Sequence, residues 1–143
     1  MEYVLSCCST ADLSKEHYAE RKIEVVYFHF SLAGKDYLDD CGMSVAPDEL
    51  FRQMDAGAET KTSQVSVGEY LEFWEPFLKE GKDILHVTLS SGISGTYNSA
   101  HIAAEELKGT YPDRKICLVD SLGASSGYGL FVDTLADKRD EGW

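Results

Sequence analysis

The run Ile84-Leu85-His86-Val87-Thr88-Leu89 reads as a strand buried on both faces, and a serine- and glycine-rich loop follows it at once. Beyond the loop, Tyr97, Ala100, Ala104 and Leu107 recur at helical spacing. A buried strand, a tight loop and a helix in direct succession make half of a β-α-β crossover, and such crossovers join parallel strands. Ile116-Cys117-Leu118-Val119 offers a second buried run. Tyr3 to Cys7 and Ile23 to Phe30 add two more strand patterns. The expected fold class is therefore α/β: three layers, with a mostly parallel sheet flanked by helices.

Several local signals refine this outline. A short helix is expected from Leu13 to Arg21, capped by Asp12 or Ser14. Ala33 to Tyr37 reads as a turn into a short strand, and Asp39-Asp40-Cys41-Gly42 as a further turn. Pro47 suits the first turn of a helix that carries Leu50, Phe51 and Met54 on one face and ends at Gly57. Lys61-Thr62-Ser63-Gln64 is polar and too short to promise much of a strand. Ser66-Val67-Gly68-Glu69 is a capping box. It opens a helix marked by Val67, Tyr70, Leu71, Trp74, Phe77 and Leu78, with a kink or loosened last turn expected at Pro76. A last helix is marked by Leu130, Phe131, Thr134 and Leu135. No linker or repeat divides residues 1–143, so one domain is expected.

Acidic residues outnumber basic ones 25 to 13, giving a formal charge of −12. That balance argues against nucleic acid and against anionic membrane surfaces. No apolar run approaches the ~18 residues of a spanning helix. The opening Met1-Glu2-Tyr3-Val4-Leu5-Ser6 lacks a basic, then apolar, leader pattern. Cys7, Cys8, Cys41 and Cys117 show no C-x-x-C spacing, and free buried thiols in the cytoplasm are expected.

By the parallel-sheet reading, Cys8-Ser9-Thr10, Ser91 to Thr96 and Ser121 to Ser126 gather at the carboxyl ends of the strands. Hydroxyls, close backbone N–H groups and a helix N-terminus at one edge attract an anion. The plainer alternative is a glycine loop in which Thr96 caps the helix. A serine hydrolase is a third reading, with Ser94 as nucleophile in Gly92-Ile93-Ser94-Gly95-Thr96. There the second glycine comes one place early for a nucleophile elbow. His86 and His101 are the nearest histidines, whereas His17 and His29 have no local partner signal. No P-loop or dinucleotide fingerprint is present. Asp39-Asp40 and Asp48-Glu49 read as a turn and an acidic first helical turn rather than as metal ligands, and no cofactor is implied.

Several motifs in order resemble the amino-terminal part of the DegV family of bacterial fatty-acid-binding proteins. Ser9-Thr10-Ala11-Asp12-Leu13 is similar to that family's opening D-S-T-A-D-L, with Cys8 where the aspartate usually stands. Gly34-Lys35-Asp36-Tyr37-Leu38-Asp39 resembles its G-x-x-Y-x-D turn, and Lys61 to Gln64 its T-S-Q segment. Leu89 to Ala100 resembles S-S-x-L-S-G-T-Y-x-S-A, with Ile93 in the leucine's place. Val119-Asp120-Ser121 and Ser126-Gly127 resemble V-D-S and S-x-G.

The resemblance implies a DegV/dihydroxyacetone kinase-like amino-terminal domain. It implies a long-chain fatty acid whose carboxylate is held by Thr62 and Ser94, with Ser63, Ser91, Gly95 and Thr96 in support. It implies no catalysis by this chain itself. A separate fatty acid kinase subunit, related to dihydroxyacetone kinases, would phosphorylate the bound acyl group to an acyl phosphate. Family members continue into a carboxyl-terminal lipid-tunnel domain with further head-group contacts, absent from this sequence. An α/β domain without that cover is expected to expose apolar surface, and so to self-associate or bind lipid weakly. A regulatory interaction module without a small ligand is a further alternative.

Overall fold

The computed structural model describes residues 3–143; Met1 and Glu2, which open the stretch read for a leader, lie outside them. In chain order the strands are β1 (Tyr3–Cys8), β2 (Glu24–Val26), β3 (His29–Leu32), β4 (Lys35–Leu38), β5 (Thr60–Ser63), β6 (Asp83–Thr88) and β7 (Ile116–Asp120). The α-helices are α1 (Lys15–Glu20), α2 (Pro47–Asp55), α3 (Val67–Lys79), α4 (Thr96–Thr110) and α5 (Ser125–Asp140). A 3-10 turn, Ser9–Ala11, follows β1.

Four strands form a parallel sheet in the order β2-β1-β6-β7. One face carries α3 and α4: Tyr70 and Trp74 of α3 stack edge-on against His86 of β6. The other face carries α1 and α5, which Arg21 joins through Asp133 and Asp137. This is the expected three-layer α/β arrangement. Ser66 caps α3 through the full capping box, and α3 runs through Pro76, whose carbonyl accepts the Glu80 N–H. Among the described residues no helix is long and apolar enough to cross a membrane.

Other expectations need correction. The run Ile23 to Phe30 is two strands in two sheets. The Phe28 N–H donates to Ser9 Oγ at 3.0 Å instead of to a ladder, and the chain turns there out of the parallel sheet. β3 then becomes the centre of an antiparallel sheet, β4-β3-β5. Its third strand is the polar segment around Lys61 to Gln64, read as too short for a strand. Pairing with β3, Phe30 opposite Thr62 and His29 opposite Ser63, supplies the ladder that local composition did not announce. β7 is an edge strand, so Cys117 is exposed, and Cys41 is exposed as well; only Cys7 and Cys8 are buried thiols.

The core face of α5 is also displaced from the expected one. Tyr128, Gly129, Val132 and Ala136 are buried, while Leu130 is 68% exposed and Phe131 stands at the surface. Backbone satisfaction and close approach decide this face. The Tyr128 hydroxyl takes the Cys8 N–H at 2.9 Å and donates to the Val87 carbonyl at 2.5 Å. Gly129 lets α5 close on the 3-10 turn, where an added Cβ would lie 2.5 Å from the Ala11 carbonyl oxygen. Gly129→Ala is expected to cost about 1–3 kcal/mol, read as a lowered midpoint in urea unfolding. An unchanged midpoint would show that α5 can shift without loss. In α2 no residue is buried; Phe51 and Met54 face solvent rather than a core. Ile93 and Leu122 are exposed as well.

Candidate ligand-binding cleft

The loop after β6 is built around one carbonyl. The Ser90 C=O accepts the N–H groups of Ile93, at 3.1 Å, and Ser94, at 3.2 Å, which curls the chain into α4. The loops after β6 and β7 are joined in the way the parallel-sheet reading expected: Ser90 N–H donates to the Gly123 carbonyl at 3.1 Å. The N-cap of α4 is Gly95, which makes no side-chain cap. Ser94 substitutes for it, since its Oγ accepts the Thr96 N–H at 3.2 Å. Thr96 itself is fully buried, with its hydroxyl 2.8 Å from the Tyr70 hydroxyl. The reading in which the Thr96 side chain caps the helix is thus replaced: Thr96 points down into the core and Ser94 does the capping.

A cleft of about 570 Å³ lies between this loop and the antiparallel sheet. Thr62, Gln64, Ser94 and Gly95 form a polar wall. Phe28, Phe30, Leu50, Leu89 and Ile93 supply apolar surface. Another hollow, of about 430 Å³, sits between the C-terminal end of α4 and β7, at the far end of that helix from Gly95.

Of the residues expected to hold an anion, Thr62, Ser94 and Gly95 meet at the cleft; Ser63, Ser91 and Thr96 do not line it. Each departure has a physical reason. Side chains alternate along β5, so Ser63 faces the opposite side from Thr62, beside Tyr37 and Leu38. Ser91 is exposed, and its N–H donates to Asp120 Oδ1 at 3.2 Å, which helps tie the two loops together. The Ser91 side chain first, then the N–H groups of Leu122 and Ser91, hold the Asp120 carboxyl below its ordinary range. Thr96 has turned inward, as described. Gln64 was not singled out from sequence, yet the same alternation places it two residues from Thr62 on the cleft side.

No lysine or arginine is among the described residues lining the cleft. Asp39 lines it, and burial raises its carboxyl above the ordinary value although a Ser9 hydrogen bond opposes this. His29 lines it too, and its Nε2 lies 2.7 Å from Glu69 Oε1. Such a wall offers neutral donors: the hydroxyls of Thr62 and Ser94 and the backbone at Gly95, the N-cap of α4. Among the described residues no hydrolytic triad is assembled around Ser94, whose hydroxyl contacts Gln64 and the Thr96 N–H. His86 is sealed beneath the sheet's helical cover, and His101, the histidine nearest to Ser94 in sequence, is exposed on α4.

Beneath the loop runs a buried polar chain. Ser6 Oγ lies 2.8 Å from His86 Nδ1, and His86 Nε2 is 3.7 Å from Cys8 Sγ. Cys8 Sγ is 3.3 Å from the Tyr70 hydroxyl, which reaches Thr96. Burial pushes the Cys8 thiol up and the His86 imidazole down to about 3, so neither carries charge near neutrality. The chain fixes the first turn of α4 from below, and with it the position of Ser94.

The chain is similar to known proteins over nearly all of its length. The family model described as "Uncharacterised protein, DegV family" matches residues 8–143. A DegV domain-containing protein of Clostridium perfringens is 33% identical over 141 residues, which cover 99% of this chain and 48% of that protein. One from Streptococcus pyogenes is 32% identical over 142 residues, 99% of this chain and 50% of that protein. Among solved structures, a fat acid (stearic acid)-binding protein of Eubacterium ventriosum superposes with a TM-score of 0.89 at 30% identity, covering 98% of this chain and 48% of that one. The Fatty Acid Kinase (Fak) B3 protein of Streptococcus pneumoniae, loaded with linoleic acid, gives 0.81 at 28%, covering 100% and 50%. This chain therefore spans about half the length of the relatives it matches. By the family model and by the shared fold, it belongs to the DegV family.

Proposed function

We propose that the cleft holds the carboxylate end of a long-chain fatty acid. The observation that carries this reading is the meeting of Thr62, Ser94 and the N-terminus of α4 at one polar wall of a cleft that also carries apolar surface from Phe28, Phe30, Leu50, Leu89 and Ile93, and Asp39 and Asp40 elsewhere in its lining. Hydroxyls and amides donate to both oxygens of a carboxylate, and the helix dipole favours its charge. The apolar residues from Phe28 to Ile93 give the first part of an acyl chain a surface to cover. The neighbours described as binding stearic and linoleic acid support the ligand class. The reading concerns the head-group end only, since those proteins are about twice as long.

On this reading the chain is a cytoplasmic carrier rather than a catalyst. It presents the carboxylate to a separate kinase subunit of the dihydroxyacetone kinase-like type, which forms the acyl phosphate. The kinship with a Fak B3 protein supports that partner. Fatty acid extraction with mass spectrometry, followed by equilibrium binding of hexadecanoate, tests the ligand. Thr62→Ala and Ser94→Ala are each expected to weaken binding by roughly 1–3 kcal/mol, the worth of a charge-assisted hydrogen bond. Unchanged affinity in both variants would refute the placement of the carboxylate.

A further inference from the structure

We propose that Gln64 is a positioning residue of this cleft: a placeholder acceptor that keeps the Ser94 hydroxyl proton aimed at the head-group position until a carboxylate takes it. The inference rests on the fatty acid reading and adds a residue and a selectivity device to it.

Ser94 has two hydrogen-bonding tasks. Its oxygen accepts the Thr96 N–H, which fixes the hydroxyl against the start of α4. Its own proton then needs an acceptor, and Gln64 Oε1 is 3.4 Å away. That is long for an O–H···O bond, whose ordinary length is about 2.7–2.8 Å, so it is weak and readily surrendered. The other end of the same amide is anchored, because Nε2 donates to Ser99 Oγ at 3.2 Å, one turn further along α4. Gln64 thus bridges β5 to α4 and keeps Thr62 and Ser94 on facing sides of the opening.

The amide lies directly over Gly95. A Cβ added there would be 2.9 Å from Gln64 Oε1 and 3.2 Å from Nε2. Glycine at 95 is what leaves room for the bridge. Binding of an anion would exchange one acceptor for another: Ser94 swings its proton from the neutral amide oxygen to the carboxylate, and no proton changes owner. A glutamate at 64 has the same length and opposite consequences. It would hold the Ser94 proton more tightly and set a negative charge beside the incoming one.

The test compares hexadecanoate with hexadecan-1-ol, ligands of equal chain length with and without the charge, on the wild-type chain and two variants. Gln64→Glu is expected to weaken hexadecanoate at least about tenfold, as like charges a few ångströms apart repel, and to leave the alcohol nearly unchanged. Gln64→Asn keeps the amide but falls one methylene short of Ser94. It is expected to weaken hexadecanoate severalfold while sparing the alcohol, and it serves if the glutamate variant does not fold. Equal losses for both ligands would make Gln64 a structural brace and overturn the proposal, as would wild-type selectivity in both variants. A wild-type chain that binds neither ligand would overturn the fatty acid reading itself, and the inference with it.

Discussion

Acidification from pH 7 to pH 4 is expected to remove about 3 kcal/mol of folding free energy through one side chain, His86. The imidazole is fully buried between β6 and α3, and burial lowers its pKa from 6.5 to about 3. In the unfolded chain it takes a proton as the pH falls through 6.5, while in the folded chain it stays neutral. The unfolded state therefore binds more protons throughout the interval. The contribution is fully present above pH 6.5 and is lost at about 1.4 kcal/mol per pH unit until the folded histidine itself protonates. Urea unfolding measured at several pH values checks this slope. His86→Asn keeps a polar partner for Ser6 and removes the titration, so its stability is expected to fall less steeply below pH 6.5. The difference between the two proteins isolates the contribution of His86. Parallel pH slopes would mean that the folded protein protonates His86 freely.

Truncation of Trp74 is expected to have an effect of similar size. Its side chain is fully buried, 4.8 Å between ring centroids from Tyr70 and 5.2 Å from His86. Trp74→Ala is expected to cost about 3–5 kcal/mol by opening a cavity against both rings. Trp74→Phe should be far milder, below about 1.5 kcal/mol. The indole Nε1 is buried without a hydrogen-bond partner among the described residues. Replacing the indole by a phenyl ring removes that orphaned donor, and the relief offsets part of the lost contact. Chemical denaturation of both variants decides the matter. A phenylalanine variant as damaged as the alanine one would show that shape alone governs this position.

The parallel half of the fold was legible because its signals are local. The apolar run of β6, the Ser66–Glu69 box and Pro47 at the start of α2 each act within a few residues. β5 was not legible, because a polar Thr-Lys-Thr-Ser segment becomes a strand only by pairing with β3, about thirty residues earlier in the chain. The break at Phe28 depends on a bond to Ser9 that no pattern within Ile23 to Phe30 reveals. The face of α5 was misread because hydrophobicity favoured Leu130 and Phe131. The packed face instead follows a tyrosine that serves backbone groups and a glycine that permits contact.

The site divides along the same line. Ser94 and Gly95 were readable from a strand-loop-helix junction, and Thr62 entered through the resemblance. Ser63 and Ser91 have the right chemistry for a head group, but strand alternation and loop curl turn them elsewhere. Gln64 needed the strand to be recognised first, since only then does its place two residues from Thr62 put it on the same side.

The absence of lysine and arginine from the described lining of the cleft bears on what a bound carboxylate can do next. A guanidinium would grip both oxygens in a fork and draw off their electron density. Hydroxyls and amides orient an anion while leaving it a better nucleophile, with lone pairs available on each oxygen. On the carrier reading proposed above, a loose, neutral grip suits a carboxylate that is to be handed on better than a tight ionic one.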